Sequence, residues 1–323
     1  MLDCGRHQRR ETMSDPTKIS AVAQRSWSFD LPPRLRLEAT CEANSPVVRD
    51  FFKGYDRAFV LEDEKEPLSG FTECLELNDG AGYEKLSTRY GAYREIVLVA
   101  YDEQSSQRIG GANFVSFPIT ARGAEPCIGV NLNYIYVEKE ARGRGYLKAL
   151  LAGITQFIPS LFSHALTPLI FIEQNDPFRM SDKAYALDTR YSGLDQFDRL
   201  AIWLRVGARI VDFDYVQPPL SPHQKPDDSL VYAILNPSGT SLNACLLNEH
   251  LLRFFAISVL KGEDPQQDQS AGKQMTFLAA ECESDGELEL LDMSSAMIER
   301  AKQARKAAMR PPSLRDFIRG ESK

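Results

Sequence analysis

Apolar residues along the chain switch between a period of two and a period near 3.6, and the switches predict the elements. Leu35, Leu37 and Ala39 share one face of a short strand over residues 34–40. Ser45 and Pro46 read as a helix start, a hydroxyl cap followed by a proline in the first turn. Val47, Val48, Phe51, Phe52, Tyr55 and Phe59 follow at helical spacing. A charged stretch containing Pro67 predicts a loop over residues 61–69, and residues 71–77 a short second helix. Three strands come next, over residues 94–101, 109–117 and 128–137, the first two joined as a hairpin by a turn at 102–107. Gly110 and Gly111 predict a bulge or the close approach of another backbone. The third strand carries apolar side chains on both faces, as a sheet covered by helices requires.

Helical spacing returns with Leu147, Leu150, Leu151, Ile154, Phe157 and Ile158, and Pro159 ends it. Residues 169–172 read as a short buried strand. Phe197, Leu200, Ala201 and Leu204 mark another helix that Gly207 can close. Residues 209–213 and 230–235 read as two closing strands around a Pro-rich stretch at 218–226. Beyond them the pattern thins. Asn248 is placed to cap a helix carrying Leu251, Leu252, Phe255 and Val259, which packs on the core or on a second copy in a homodimer. Residues 261–274 are polar, 277–280 are a short apolar run, and 293–310 are helical and basic. The expected organisation is a flexible N-terminal segment over residues 1–30, a main domain over 31–236 and a partly helical extension over 237–323, with Met13 as an alternative start.

The most informative segment lies between a strand and a helix and reads VEKEARGRGYL over residues 137–147. Gly143 and Gly145 let the backbone turn where a β-carbon would clash. The first turn of the following helix then presents free N–H groups, which with the helix dipole favour a phosphate or pyrophosphate. Arg142 and Arg144 add positive charge. An ordinary glycine-rich turn before a helix has the same look. A P-loop would need a Gly-Lys-Ser/Thr ending, and the dinucleotide fingerprint would need a third glycine where Lys148 stands.

Composition narrows the class. The formal net charge of −7 argues against a nucleic-acid partner, which needs concentrated positive charge. Six scattered cysteines without a C-x-x-C pair, and only four histidines, give no metal site and suggest reduced structural thiols in a cytoplasmic chain. No apolar run is long enough for a membrane span, and the charged first residues lack the apolar core of a secretory signal. The basic run with Arg300, Lys302, Arg305, Lys306 and Arg310 suits a solvated helix face, or else a nucleic acid, an acidic partner or a membrane surface.

The segment 142–147 resembles the acyl-CoA-binding loop of the Gcn5-related N-acetyltransferase (GNAT) superfamily, Arg/Gln-x-x-Gly-x-Gly/Ala. Arg142 and Gly145 match, and Leu147 stands where the family has Gly or Ala. The order of elements over about 200 residues is similar as well, as is the helix ending at residues 203–208. The resemblance implies a mixed, centrally splayed, mostly antiparallel α/β sheet flanked by helices, the acyl-CoA N-acyltransferase fold. It implies acetyl-CoA or another acyl-CoA as co-substrate, no metal, and a small-molecule amine as acceptor, attacked directly. By the same resemblance Ile135, Tyr136 and Val137 lie along the pantetheine arm and offer a backbone oxyanion donor. Trp203 stands at the position of the family's acidic tyrosine, so Tyr215, Tyr146 or solvent would protonate the leaving thiolate.

Acyl transfer to an amine needs a base. Glu173, at the end of the strand at 169–172, is the first candidate, and Glu138 the second. Asn131, Asn133, Tyr134 and Tyr136 can line the cleft or simply pack the sheet. Cys127 lies near the same strand, but no histidine is close in sequence to activate it. Two further readings stay open: a non-catalytic acyl-CoA sensor, and a protein-interaction module that keeps only the fold.

Overall fold

The computed structural model describes residues 19–321 apart from 33, 60–64, 222 and 308–309. Most of the N-terminal segment, Met13 and the start of the loop expected at 61–69 lie outside these residues. The chain begins with a hairpin of β1 (Ser26–Leu31) and β2 (Leu35–Thr40), then α1 (Pro46–Ala58), α2 (Leu68–Glu76) and α3 (Gly80–Tyr90). Strands β3 (Arg94–Asp102), β4 (Arg108–Ile119) and β5 (Cys127–Val137) lead to α4 (Tyr146–Phe157) and β6 (Thr167–Asn175). Next come α5 (Asp182–Ser192), α6 (Gln196–Arg205), β7 (Ala208–Val211) and β8 (Leu230–Leu235). The remainder is β9 (Ser241–Asn243), α7 (Ala244–Phe254) continued by a π-turn (Phe255–Val259), α8 (Gln269–Glu283), β10 (Glu287–Leu291), α9 (Ser295–Lys306) and α10 (Leu314–Glu321).

Among the described residues the strands form one ten-stranded sheet in the order β1-β2-β3-β4-β5-β6-β8-β7-β10-β9. Among the described residues only β5 and β6 run parallel; every other neighbouring pair is antiparallel. The fold is therefore α/β with a mixed, mostly antiparallel sheet, as the sequence suggested. One face is covered by α4, α6, α9 and α10, through Leu150, Ile154, Phe197, Leu200, Ile298, Ala301, Leu314 and Ile318. The other is covered by α1 and α2 above Val97, Val99 and Tyr136. Beside them, α3, α7 and α8 cover Val115, Phe117, Phe171 and Tyr232. Burial on both faces explains why the central strands read as nearly continuous apolar runs.

Local chemistry fixes the boundaries. The Ser45 side chain accepts from the Val47 amide and Pro46 opens α1. Gly110 and Gly111 meet both halves of their expectation. The register shifts between Ala100 and Tyr101 opposite them, and a β-carbon on Gly110 would sit 2.3 Å from the Tyr136 carbonyl oxygen. Several expectations are corrected. Residues 26–30, expected to be flexible, belong with Leu31 to β1, whose Trp27 and Phe29 pack on Phe157 of α4. Asn243 rather than Asn248 caps α7, its side chain accepting from the Leu246 amide, because Ala244 to Leu247 already belong to the buried face. The polar stretch at 261–274 and the run at 277–280 end in one helix, α8, capped by Asp268.

Residues 241–321 are fastened to the sheet. Leu290 and Leu291 of β10 pair with Val211 and Ile210 of β7. Asp176, fully buried just past β6, accepts the amides of Phe178 and Leu314, each at 2.8 Å. Arg305 donates to the Pro177 and Met180 carbonyls and pairs with Asp182 at 3.0 Å. Replacing Asp176 with Ala strands two buried amides, and we expect a loss of about 3 kcal/mol in urea unfolding, with α10 released first in hydrogen exchange.

Candidate active site

The parallel pair ends early. β5 and β6 are in register from Cys127 opposite Thr167 to Leu132 opposite Ile172, after which β5 runs on to Val137 and β6 to Asn175 without pairing to each other. At the same level the β4–β5 register shifts between Asn113 and Val115, a bulge that bends β5 away. A cavity of about 750 Å³ opens into the split. Ile135, Tyr136 and Val137 line it from β5, and Glu173, Gln174 and Asn175 from β6.

The glycine loop enters the same cavity. Gly143 and Gly145 hold φ of +77° and +81°, which an L side chain resists, while a β-carbon at either would meet no atom within 4 Å. Conformation, not space, is what these glycines supply. Gly145 is the left-handed residue before α4, and among the described residues no protein acceptor takes the amides of residues 143–147. Gly143, Gly145, Tyr146 and Leu147 all line the cavity, as does Arg142. Arg142 does not hold its guanidinium free: Nε donates to the Val137 carbonyl at 3.1 Å and Nη1 to the Ser192 carbonyl at 2.6 Å. It braces the loop against α5, leaving the amides as the presented donors. Arg144 is exposed and outside the lining.

Glu173 is half-buried, lines the cavity and accepts a hydrogen bond from the Tyr215 hydroxyl. Desolvation pushes its pKa up to about 7, against hydrogen bonds from Tyr215 and Asn131 that pull it down. A second carboxyl that the sequence reading passed over, Glu95 of β3, lines the same cavity and is likewise pushed up to about 7 by burial. Its oxygens accept from Asn113 at 2.6 Å, Asn133 at 3.2 Å and Ser258 at 2.7 Å. The signal was present: a lone acid beside the apolar run Ile96 to Val99.

The two carboxyls are joined by amides. The Asn131 amide donates to Asn133 Oδ1 at 2.9 Å and bonds Glu173, and Asn133 donates to Glu95. Tyr232 donates to Asn131 Oδ1 at 2.6 Å and stands 2.9 Å from His250 Nε2. With its proton committed to Asn131, Tyr232 accepts from His250, which fixes the Nε2–H tautomer and fits the burial that holds the imidazole neutral. The line of donors runs from α7 toward the two glutamates. Asn131 and Asn133 are thus network members, not only sheet packing.

The remaining candidates separate. Glu138 is held by Arg57 at 2.9 Å and Arg108 at 2.7 Å and does not line the cavity, so its carboxylate is spent on ion pairs. Tyr215 is buried behind Glu173, and burial holds its hydroxyl well above the usual range. Trp203 lines the cavity; Cys127 is buried and its thiol is pushed up to about 11. The expectation of reduced thiols is overturned at Cys245 and Cys282, which form a disulfide between the start of α7 and the end of α8, with Cα atoms 4.6 Å apart. The basic run is not a solvated face: Arg300 pairs with Glu321, Lys302 with Asp195 and Asp198, and Arg305 and Arg310 with Asp182. Among the described residues no group of side chains could hold a metal ion, and no helix is long and apolar enough to cross a membrane.

The order of the strands, the single parallel pair and its splay are those of the acyl-CoA N-acyltransferase fold. No family model matches the sequence, and no curated protein matches it either. Solved structures with a similar arrangement include a histone acetyltransferase HPA2 and related acetyltransferase from Corynebacterium glutamicum, 14% identical over 67% of this chain and 98% of that one, TM-score 0.31. A ribosomal-protein-S18-alanine N-acetyltransferase from Escherichia coli is 12% identical over 64% of this chain and 98% of that one, TM-score 0.32. An aminoglycoside acetyltransferase from an uncultured soil metagenomic sample, in complex with sisomicin, is 18% identical over 49% and 86%, TM-score 0.29. At such scores these likenesses carry no argument of their own, and the architecture rests on the strand order and splay.

Glu95 generates a stability prediction. Its folded pKa of about 7 lies above the ordinary 4.5, so the folded state holds the proton more tightly. Stability is then greatest below the unfolded pKa and falls as pH rises from about 4.5 to about 7. Glu95→Gln, which keeps an acceptor oxygen, should flatten that decline, recovering on the order of 2–3 kcal/mol at pH 8 relative to pH 5 in denaturant titrations.

Proposed function

We propose that the protein is an acyl-CoA-dependent N-acyltransferase acting on a small amine. The observation that carries this is the set of unpartnered amides at residues 143–147, opening onto the same cavity as Glu173. Those amides and the positive end of α4 suit a pyrophosphate. Leu147, half-buried on the cavity wall, leaves the amides open although it replaces a small residue. Ile135 to Val137, unpaired on their β6 side, suit the pantetheine arm, and Trp203 supplies an apolar wall. Acyl-CoA would bring the activated thioester carbonyl. Residues 31–236 contain these groups, with residues 254, 258 and 259 closing the cavity from beyond them.

In this reading Glu173 takes the proton of the incoming ammonium, and a pKa near 7 makes it a base poised at the working pH. Tyr215 and Asn131 hold its carboxylate in place. A backbone amide of β5 in the split receives the developing oxyanion. No dedicated acid is required, because the leaving group is a thiolate; Tyr146 is the tyrosine beside the loop that faces the cavity.

Calorimetry with acetyl-CoA tests the reading, and absence of binding at millimolar concentration would remove it. Gly145→Val should weaken CoA by about tenfold or more with circular dichroism unchanged, since nothing crowds the new side chain and only the backbone is strained. Glu173→Gln should lower kcat about 100-fold and leave CoA affinity within about twofold. In the wild type kcat/KM should climb with pH up to about 7, where Glu173 becomes ionised, and the Gln variant should lack that limb.

A further inference from the structure

The cavity is divided by charge. On the side of the glycine loop and α6 it is lined by Arg142, Lys148, Arg199 and Arg205, with Asp188 paired to Arg199. On the side of α1, α2 and the π-turn the ionisable lining is acidic: Glu66, Glu95 and Glu173. Glu66 is neutralised by Lys261 at 2.7 Å. Among the described residues no Lys, Arg or His pairs with Glu95 or Glu173; their partners are amides and hydroxyls. Two carboxyls in one cavity without a counter-ion are an electrostatic deficit that a ligand can fill.

Two more observations point to a ligand there. Gln174 and Asn175 are both more than nine-tenths buried and line the cavity, yet Gln174 Oε1 and Asn175 Nδ2 have no protein partner. The wall beside the acids is aromatic: Tyr134 meets Phe59 and Phe71 edge-on at 5.2 and 5.5 Å, and all three line the cavity. Aromatic faces and carboxylates share one preference, for a cation with an apolar body.

We propose, resting on the acyl-transfer reading above, that the acceptor is an organic amine that enters as a cation on an apolar body and carries no carboxylate. Glu173 meets the reacting nitrogen. Glu95, whose partners are amides and a hydroxyl, offers no cation to a second carboxylate, and the lobe so rejects an α-amino acid, whose carboxylate would lie within a few bond lengths of the nitrogen.

The test is calorimetry on the full chain saturated with CoA, using matched pairs that differ only in that carboxylate: 2-phenylethylamine against phenylalanine, tyramine against tyrosine, cadaverine against lysine. The expected result is that the amine of each pair binds tighter by about tenfold or more, and that Glu173→Gln narrows the ratio. Equal binding, tighter binding of the amino acids, or binding of none of the six to the CoA complex overturns the proposal while leaving acyl transfer standing. Failure of CoA itself to bind removes both. The wild-type ratios decide the matter even if the variant does not fold.

Discussion

The site depends on a hydrogen-bond ladder that stops. Parallel pairing between β5 and β6 ends at Leu132 and Ile172, while each strand stays bonded to its outer neighbour, β4 or β8. A sheet interior normally leaves no backbone group free. Here the bulge near Asn113 turns β5 aside, and a short row of main-chain donors and acceptors is left facing a cavity. The glycine loop, α6 and the π-turn line the space that results. Had the ladder continued three more residues, there would be neither room for a ligand nor a reason for Glu173 to be desolvated without a counter-ion.

Burying carboxyls in such a split is costly, and the structure meets the cost with amides rather than with cations. Asn113, Asn131 and Asn133 give hydrogen bonds without cancelling charge. A lysine in the same place would have made a stable ion pair and an inert one. The network holds the carboxyls in fixed orientations while leaving their proton affinity high. Its last members, Tyr232 and His250, lie on β8 and α7, so residues beyond 236 take part in orienting the base candidate.

Much of the fold was legible because its central elements obey strong periodicities. The strands from β3 to β5, α4, α6 and β8 are long or strongly patterned, and the glycine loop announced itself by two residues whose φ only glycine adopts easily. What escaped had weak patterns for physical reasons. α5 buries only Asp188 and Ser192, and α3 opens with two glycines and buries little beyond Leu86 and Tyr90. Ser181 as a cap and Gly193 as a left-handed stop were the available signals for α5. β9 and β10 are short and take their partners from far along the chain, which no local window can see. Glu173 was found by its position at a strand end. Glu95 was missed because its importance comes from three neighbours on other elements.

The bond from Leu314 to Asp176 spans 138 residues. During synthesis the strand that carries Glu173 leaves the ribosome long before the helix that braces its far end. Until that helix arrives, Asp176 lacks the Leu314 amide, and the β7 edge lies uncovered by β10. An exposed edge invites pairing with another chain. The nascent protein must therefore wait through about 80–140 further residues, some seconds at translational speeds, with the strand that carries Glu173 only partly supported.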